Sequence, residues 1–271
     1  MKTGFALSGG GSKGIFQAVV CQELIRNGII PDALSGVSAG ALNAALISTG
    51  QVDTLVHIWR NLKKEDIFQG SWNCGFLGKC ARGYHILRGH KNSIYDNGTS
   101  SIIREYYDPN DTKIPSIFGA VSLKTENYIK KEVNPGSYSQ EEVQKIQKYL
   151  VASSSIPFIF PPIKSSLNDF LVDGGLRNIT PLADLIHKGV DKIYVITNNK
   201  MKFGGEENKV RNLLDVLRFT INILKNEILK GDIQQANRIN QISQSSEYRQ
   251  VDIEVIHPPD TLGSGLWARW I

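Results

Sequence analysis

Over the first fifty residues the hydrophobic pattern switches between strand-like and helical spacing. Gly4 to Ser8 is a short apolar run that predicts a buried strand, and it leads into Gly9-Gly10-Gly11-Ser12-Lys13-Gly14. Ile15, Phe16, Val19, Val20 and Leu24 then recur on one helical face, and Gly28 marks the end of that helix. Ala33–Val37 predicts a second strand, and the stretch from Ala39 to Leu46 a second helix with a face of small residues. Strand, glycine turn, helix, strand, turn, helix is the order of a parallel sheet covered by helices.

Residues 51–63 continue as a helix carrying Leu55, Ile58, Trp59 and Leu62. Between 70 and 98 the periodicity disappears while Gly, Asn and Cys accumulate, which predicts an irregular, lid-like excursion. Strand patterns return over 117–123 and 128–133. Ser139 and Glu142 form a capping box for a helix reaching Ala152. Pro157, Pro161 and Pro162 remove donors and fix φ, so 156–162 reads as a rigid apolar loop. Phe170, Leu171 and Val172 form a short strand ending at Asp173-Gly174-Gly175. A helix over 181–188, a strand over 192–197, helical sequence over 208–245 broken near Gly231, and a strand over 251–256 complete the pattern. There is no repeat, low-complexity linker or evident boundary, and one domain over 1–271 is the expectation.

Composition narrows the class. Hydrophobic content of 41% and charged content of 21% in 271 residues describe an ordinary globular chain. No window approaches the roughly 18 apolar residues of a spanning helix, and no signal-peptide pattern precedes the first strand. The net charge of +5 suits a peripheral contact with anionic lipid headgroups. The basic residues are scattered without interleaved aromatics, which argues against nucleic acid. Cys21 falls in an apolar helical pattern as a buried thiol. Cys74 and Cys80 match no zinc spacing, although an oxidising compartment would allow them to pair. A reduced, cytoplasmic protein with no metal or cofactor is expected.

Gly9, Gly11 and Gly14 satisfy the G-x-G-x-x-G of a dinucleotide site. Such a site needs an acid at the end of the second strand, and here that strand ends in Val37-Ser38. No Lys-Ser/Thr pair closes the run as a P-loop requires. The chemistry that remains is an oxyanion hole, in which several backbone amides of the glycine run converge on one point; a tight strand-to-helix turn without a ligand has the same local sequence.

Gly36-Val37-Ser38-Ala39-Gly40 is a G-x-S-x-G pentapeptide at a strand-to-helix junction, the setting of a nucleophile elbow. A helix N-cap serine between packing glycines has the same local sequence. For a base, Asp173 ends a short strand beside two glycines, and a desolvated carboxylate can accept a hydroxyl proton directly. His257 follows a strand and stays open as an alternative base. His187 falls at the end of a helix just before a strand, at the wrong end of the sheet to meet Ser38.

The glycine run at 9–14, the pentapeptide at 36–40 and Asp173-Gly174-Gly175, in this order, resemble the patatin-like phospholipase family. Ala152-Ser153-Ser154-Ser155-Ile156-Pro157, before the acid, is similar to that family's corresponding loop. The resemblance spans residues 3–200. It implies a three-layer α/β/α sandwich with a mostly parallel central sheet. It also implies a Ser38–Asp173 dyad acting without metal on phospholipids, lysophospholipids or acyl glycerols, with the backbone amides of Gly10 and Gly11 and their neighbours Gly9 and Ser12 holding the oxyanion. Lys13 stands where the family often has arginine, keeping the charge but losing the bidentate fork. Further helical sequence is expected after Gly265; Trp267, Trp270 and Ile271 read as packing on the core, with a membrane-interface anchor as the alternative. The alternatives are a carboxylesterase or lysophospholipase acting on soluble or micellar esters, a nucleotide-binding module, and an inactive binding protein.

Overall fold

A computed structural model of the chain describes residues 1–70, 93–165, 169–198 and 250–259, with isolated positions between 78 and 86 and between 220 and 238. Its centre is one mixed sheet. The strands are β1 (Thr3–Leu7), β2 (Ala33–Val37), β5 (Ser116–Ser122), β6 (Tyr128–Val133), β7 (Ile163–Lys164), β8 (Phe170–Asp173), β9 (Lys192–Ile196) and β10 (Asp252–Ile256). β10, β9, β1, β2 and β5 run parallel to one another in that order. A separate two-residue pair joins β3 (Phe68–Gln69) to β4 (Asp96–Asn97) across the foot of the predicted excursion. The mostly parallel sheet flanked by helices is the expected three-layer architecture.

β5 is where the topology departs from a simple parallel sheet. Along one edge it pairs with antiparallel β6 from Ser116 to Val121. Its other edge is shared: β2 covers Ser116–Gly119 with Leu34–Val37, and antiparallel β8 takes over from Ala120 to Ser122. β2 and β8 therefore meet end to end against neighbouring residues of one strand.

Side-chain alternation splits the core into two layers. Phe5 and Leu7 of β1 face a large cluster that includes Ala18, Cys21, Ala44, Ile47, Ile146 and Leu150. Ala6 faces the other, with Leu182, Leu185, Ile193 and Val195. The first layer is built by helices α1 (Gly14–Arg26), α2 (Ala39–Ser48), α3 (Val52–Asn61) and α6 (Gln140–Ser153); α7 (Leu182–His187) belongs to the second. The short α4 (Lys64–Ile67) and α5 (Thr99–Tyr106) flank β3 and β4. α6 starts at the expected capping box, in which Ser139 Oγ accepts from the Glu142 N–H while the Glu142 carboxylate accepts from the Ser139 N–H. Cys21 is buried, and burial pushes its thiol up.

Two features differ from expectation. The buried face of α1 is Gly14, Gln17, Ala18 and Cys21, whereas Val19 is exposed and Ile15, Phe16, Val20 and Leu24 are only partly covered. The cause is a buried polar network that hydrophobic spacing cannot register. Gln17, fully buried, donates through Nε2 to the carbonyls of Ser8 (2.8 Å) and Ile196 (2.7 Å). Its Oε1 accepts from Asn43 Nδ2 (3.0 Å), which also reaches the Gly14 carbonyl (2.9 Å); Asn43 Oδ1 accepts from Trp59 Nε1 (2.7 Å). The other difference is α5, over residues for which the sequence predicts no element; it is started by Asn97 Oδ1 accepting from the Thr99 N–H.

Inside the former excursion, buried Arg82 makes a two-pronged contact with the Asp96 carboxylate (3.0 and 3.1 Å) and bonds the Ser93 carbonyl. Of the 208–245 segment, the described positions, Gly231 among them, are helical, and Ile228 packs on Ile179. Cys74, His85, His90 and the tail from Trp267 to Ile271 lie outside the described residues. No helix among the described residues is long and apolar enough to cross a membrane.

The network predicts a specific instability. Asn43→Leu conserves volume but strands the Trp59 N–H and the Gln17 Oε1. Urea unfolding of the variant should show a loss of about 3 kcal/mol, since each buried group left unpaired costs roughly 1–3 kcal/mol. A loss under about 0.5 kcal/mol would contradict this role.

Candidate active site

The G-x-S-x-G turn folds as it does because neither glycine has room for a side chain. A Cβ on Gly36 would lie 2.3 Å from the Gly40 carbonyl oxygen, and one on Gly40 would lie 2.1 Å from the Leu7 carbonyl oxygen. Between them the chain reverses from β2 into α2, with Ser38 at φ 57°, ψ −128°. Positive φ at a residue with a Cβ costs on the order of 1–3 kcal/mol and persists only where its surroundings over-determine it. Ser38 is 2% exposed and sits at the N-terminus of ten-residue α2, whose dipole favours negative charge.

Strand register brings Asp173 to the same point. Val37 pairs with Gly119, and Asp173, the last residue of β8, pairs with Ala120. Ser38 and Asp173 therefore follow and end two strands that abut on one edge of β5. Asp173 is 2% exposed; its Oδ1 accepts from the Gly175 N–H (2.8 Å) and its own N–H donates to the Ser155 carbonyl (3.0 Å). A Cβ on Gly174 would strike the Gly119 carbonyl oxygen at 2.5 Å, so this glycine lets the chain leave the sheet closely.

One residue of this junction is missed by sequence reasoning. Ser153, at the end of α6 and fully buried, accepts from the Ser38 N–H through Oγ (3.1 Å) and donates the same hydroxyl to the Gly119 carbonyl (2.6 Å). It ties the strained serine to β5. The only hint in the sequence is the serine run at 153–155, which carries no periodic signal.

The glycine loop lies against Ser38: a Cβ on Gly9 would stand 3.3 Å from the Ser38 Cβ. The Gly9 N–H donates to the Ile179 carbonyl (3.0 Å), so it ties the loop to the segment that follows Asp173-Gly174-Gly175. This corrects the expectation that Gly9 joins the oxyanion donors; Gly10, Gly11 and Ser12 are the amides left for a ligand. Gly11 has φ 59°, a conformation glycine adopts without cost. Gly10 is backed by the buried Asn198, whose side chain would collide with any Cβ there.

Gly11, Ser12 and Ser38 line one cavity of about 80 Å³, otherwise walled mainly by apolar side chains, among them Leu42, Trp59, Leu62, Phe68, Ile156 and Phe160. The Phe68 ring packs against those of Phe160 (5.3 Å between centroids) and Tyr95 (5.1 Å). An open groove of about 1190 Å³ runs between α5 and α6 past Arg104 and Gln144, and none of the candidate residues lines it.

No described histidine approaches this point. His57 is exposed on α3 beside Asn61. His187 ends α7, before β9 begins. His257 follows β10, three strands from β2 and about 14 Å away at ~4.8 Å per strand. His257 is thereby removed as the alternative base.

Residues 5–186 match the family model for patatin-like phospholipase, and the chain belongs to that family. Among solved structures the chain is similar to VipD from Legionella pneumophila, at 16% identity and a TM-score of 0.47. The match covers 72% of this chain and 50% of that one, so the chain spans about half its length. No curated protein matches the sequence.

Ser153→Ala tests the junction. It leaves the Ser38 N–H and the Gly119 carbonyl buried without this partner, and should cost about 1–3 kcal/mol in unfolding free energy. On a soluble ester, kcat should fall with KM nearly unchanged, because the geometry of Ser38 is loosened rather than substrate binding. A variant with wild-type kcat and stability would show that Ser153 does not hold Ser38.

Proposed function

We propose that the chain is a serine lipid acyl hydrolase of phospholipase A type, with Ser38 as nucleophile and Asp173 as general base. The observation that carries this reading is the abutment of Ser38, in a strained elbow, and Asp173 on adjacent residues of β5. Ser38 Oγ forms a bond to the acyl carbonyl carbon while its proton passes to Asp173. The carbonyl oxygen becomes an oxyanion held by the amides of Gly10, Gly11 and Ser12 and by the α2 N-terminus. One such donor is worth about 3 kcal/mol. Collapse breaks the bond to the leaving alcohol, which takes the proton back from Asp173. A water molecule, deprotonated by the same carboxylate, then releases the acid and restores Ser38. No step calls for a metal.

The apolar cavity supports an acyl chain as the group presented to Ser38. Its size favours a second reading. A volume of about 80 Å³ suits a carboxylesterase for short acyl chains.

Fluorophosphonate labelling tests the dyad. The wild type should label equally with and without EDTA, Ser38→Ala should not label, and Asp173→Asn should label at least about a hundred-fold more slowly. Labelling that survives Ser38→Ala would sink the proposal. A series of esters from acetate to palmitate decides between the readings: activity confined to the shortest members favours the esterase.

A further inference from the structure

The rim above the candidate site is built differently from the rest of the surface. β5 continues past the level of Ser38 and Asp173, so Leu123 stands three residues beyond Ala120, about 10 Å further out at ~3.3 Å per residue. The Leu123 N–H donates to the Phe170 carbonyl (2.8 Å), which places the two residues side by side on adjoining strands. Both are uncovered, Leu123 at 50% and Phe170 at 44% exposure. Phe158, on the loop whose Phe160 lines the cavity, is 64% exposed. By contrast, Ile30 is exposed at the opposite end of the strands, on the turn leading into β2, and Val19 lies on the outer side of α1. Isolated exposed apolar side chains of that kind need no explanation.

Exposure at the rim is not slackness. Asp169, almost fully buried, accepts from the hydroxyl of Ser122 and from the N–H groups of Lys124 (2.9 Å) and Phe170 (2.6 Å). Burial pushes this carboxyl up, but those hydrogen bonds outweigh it and hold it below the usual carboxylate range. The anion thus fixes the two strand ends that present Leu123 and Phe170. Around them stand cations. Lys124 follows Leu123, Lys164 pairs with Phe170, and Arg177 reaches across to the Glu126 carbonyl (2.8 Å). All three are exposed, and Glu126 is the one exposed acid on the turn from Leu123 to Asn127.

We propose that this rim, Leu123 and Phe170 with Lys124, Lys164 and Arg177 around them, docks on the surface of an anionic lipid bilayer. The inference rests on the hydrolase reading for its purpose, since the rim lies at the end of the sheet where β2 gives way to Ser38 and docking would bring that end to lipid. Rigid apolar side chains ringed by cations are the chemistry that an acyl–headgroup boundary with negative charge accepts. Each basic residue near such a surface contributes attraction that salt screens.

The test compares co-sedimentation with vesicles of phosphatidylcholine alone and of phosphatidylcholine with phosphatidylglycerol. The wild type should prefer the mixed vesicles and release in high salt. Leu123→Glu with Phe170→Glu should lower vesicle partition and hydrolysis of vesicle-borne lipid by at least about ten-fold, leaving hydrolysis of a soluble short-chain ester unchanged. Lys124→Glu with Lys164→Glu should abolish only the preference for the anionic vesicles. Unchanged partition in the apolar double variant would overturn the proposal. So would light scattering in which that variant dissociates an oligomer, since the face would then belong to a second copy. A wild type that binds vesicles but hydrolyses neither ester would defeat the hydrolase reading alone.

Discussion

The end-to-end meeting of β2 and β8 on one edge of β5 is the constraint from which the site follows. A parallel strand ends at Val37 where it has climbed as far as Gly119, and an antiparallel strand descends to Asp173 at Ala120. Neither could continue without displacing the other. The chain must leave the sheet twice within one residue spacing, and both exits use glycines against which a Cβ would clash. Ser38 takes the left-handed conformation at the first exit because Gly36 and Gly40 leave no alternative path. Ser153 then caps the junction by bonding both Ser38 and Gly119.

Rigidity at that junction is inherited from beneath it. Gln17, Asn43 and Trp59 tie α1, α2 and α3 to the ends of β1 and β9, so the glycine loop and the elbow are clamped to the same ladder of hydrogen bonds. Polar groups this deeply buried are costly unless all are paired, and once paired they permit one arrangement only. Catalysis by positioned donors needs such pre-set geometry, because donors that must move toward the oxyanion lose much of their value.

Much of this was legible in the chain. Period-two and helical patterns locate most of the sheet and its helices to within a residue or two, as with Ala33–Val37 and Tyr128–Val133. The pentapeptide and Asp173-Gly174-Gly175 carry the site because glycine is needed where backbones touch. What escaped reading is non-local. Gln17 turns α1 by bonding Ile196, which lies 179 residues away in sequence. Ser153 acts on Ser38 from 115 residues away. The Gly9 amide looks like an oxyanion donor until Ile179 is found to occupy it. Hydrophobic periodicity reports which face is apolar, and it is silent on which carbonyl a buried amide will meet.

The claim on which all else depends is that Ser38 forms the covalent acyl intermediate. Acid quenching during steady turnover of an activated ester, followed by intact-mass and peptide-mapping measurement, reads it directly. One acyl group on the peptide containing Ser38, absent in Ser38→Ala, is the predicted result. An acyl group on any other residue, or turnover with no adduct under conditions where deacylation limits the rate, would contradict the account.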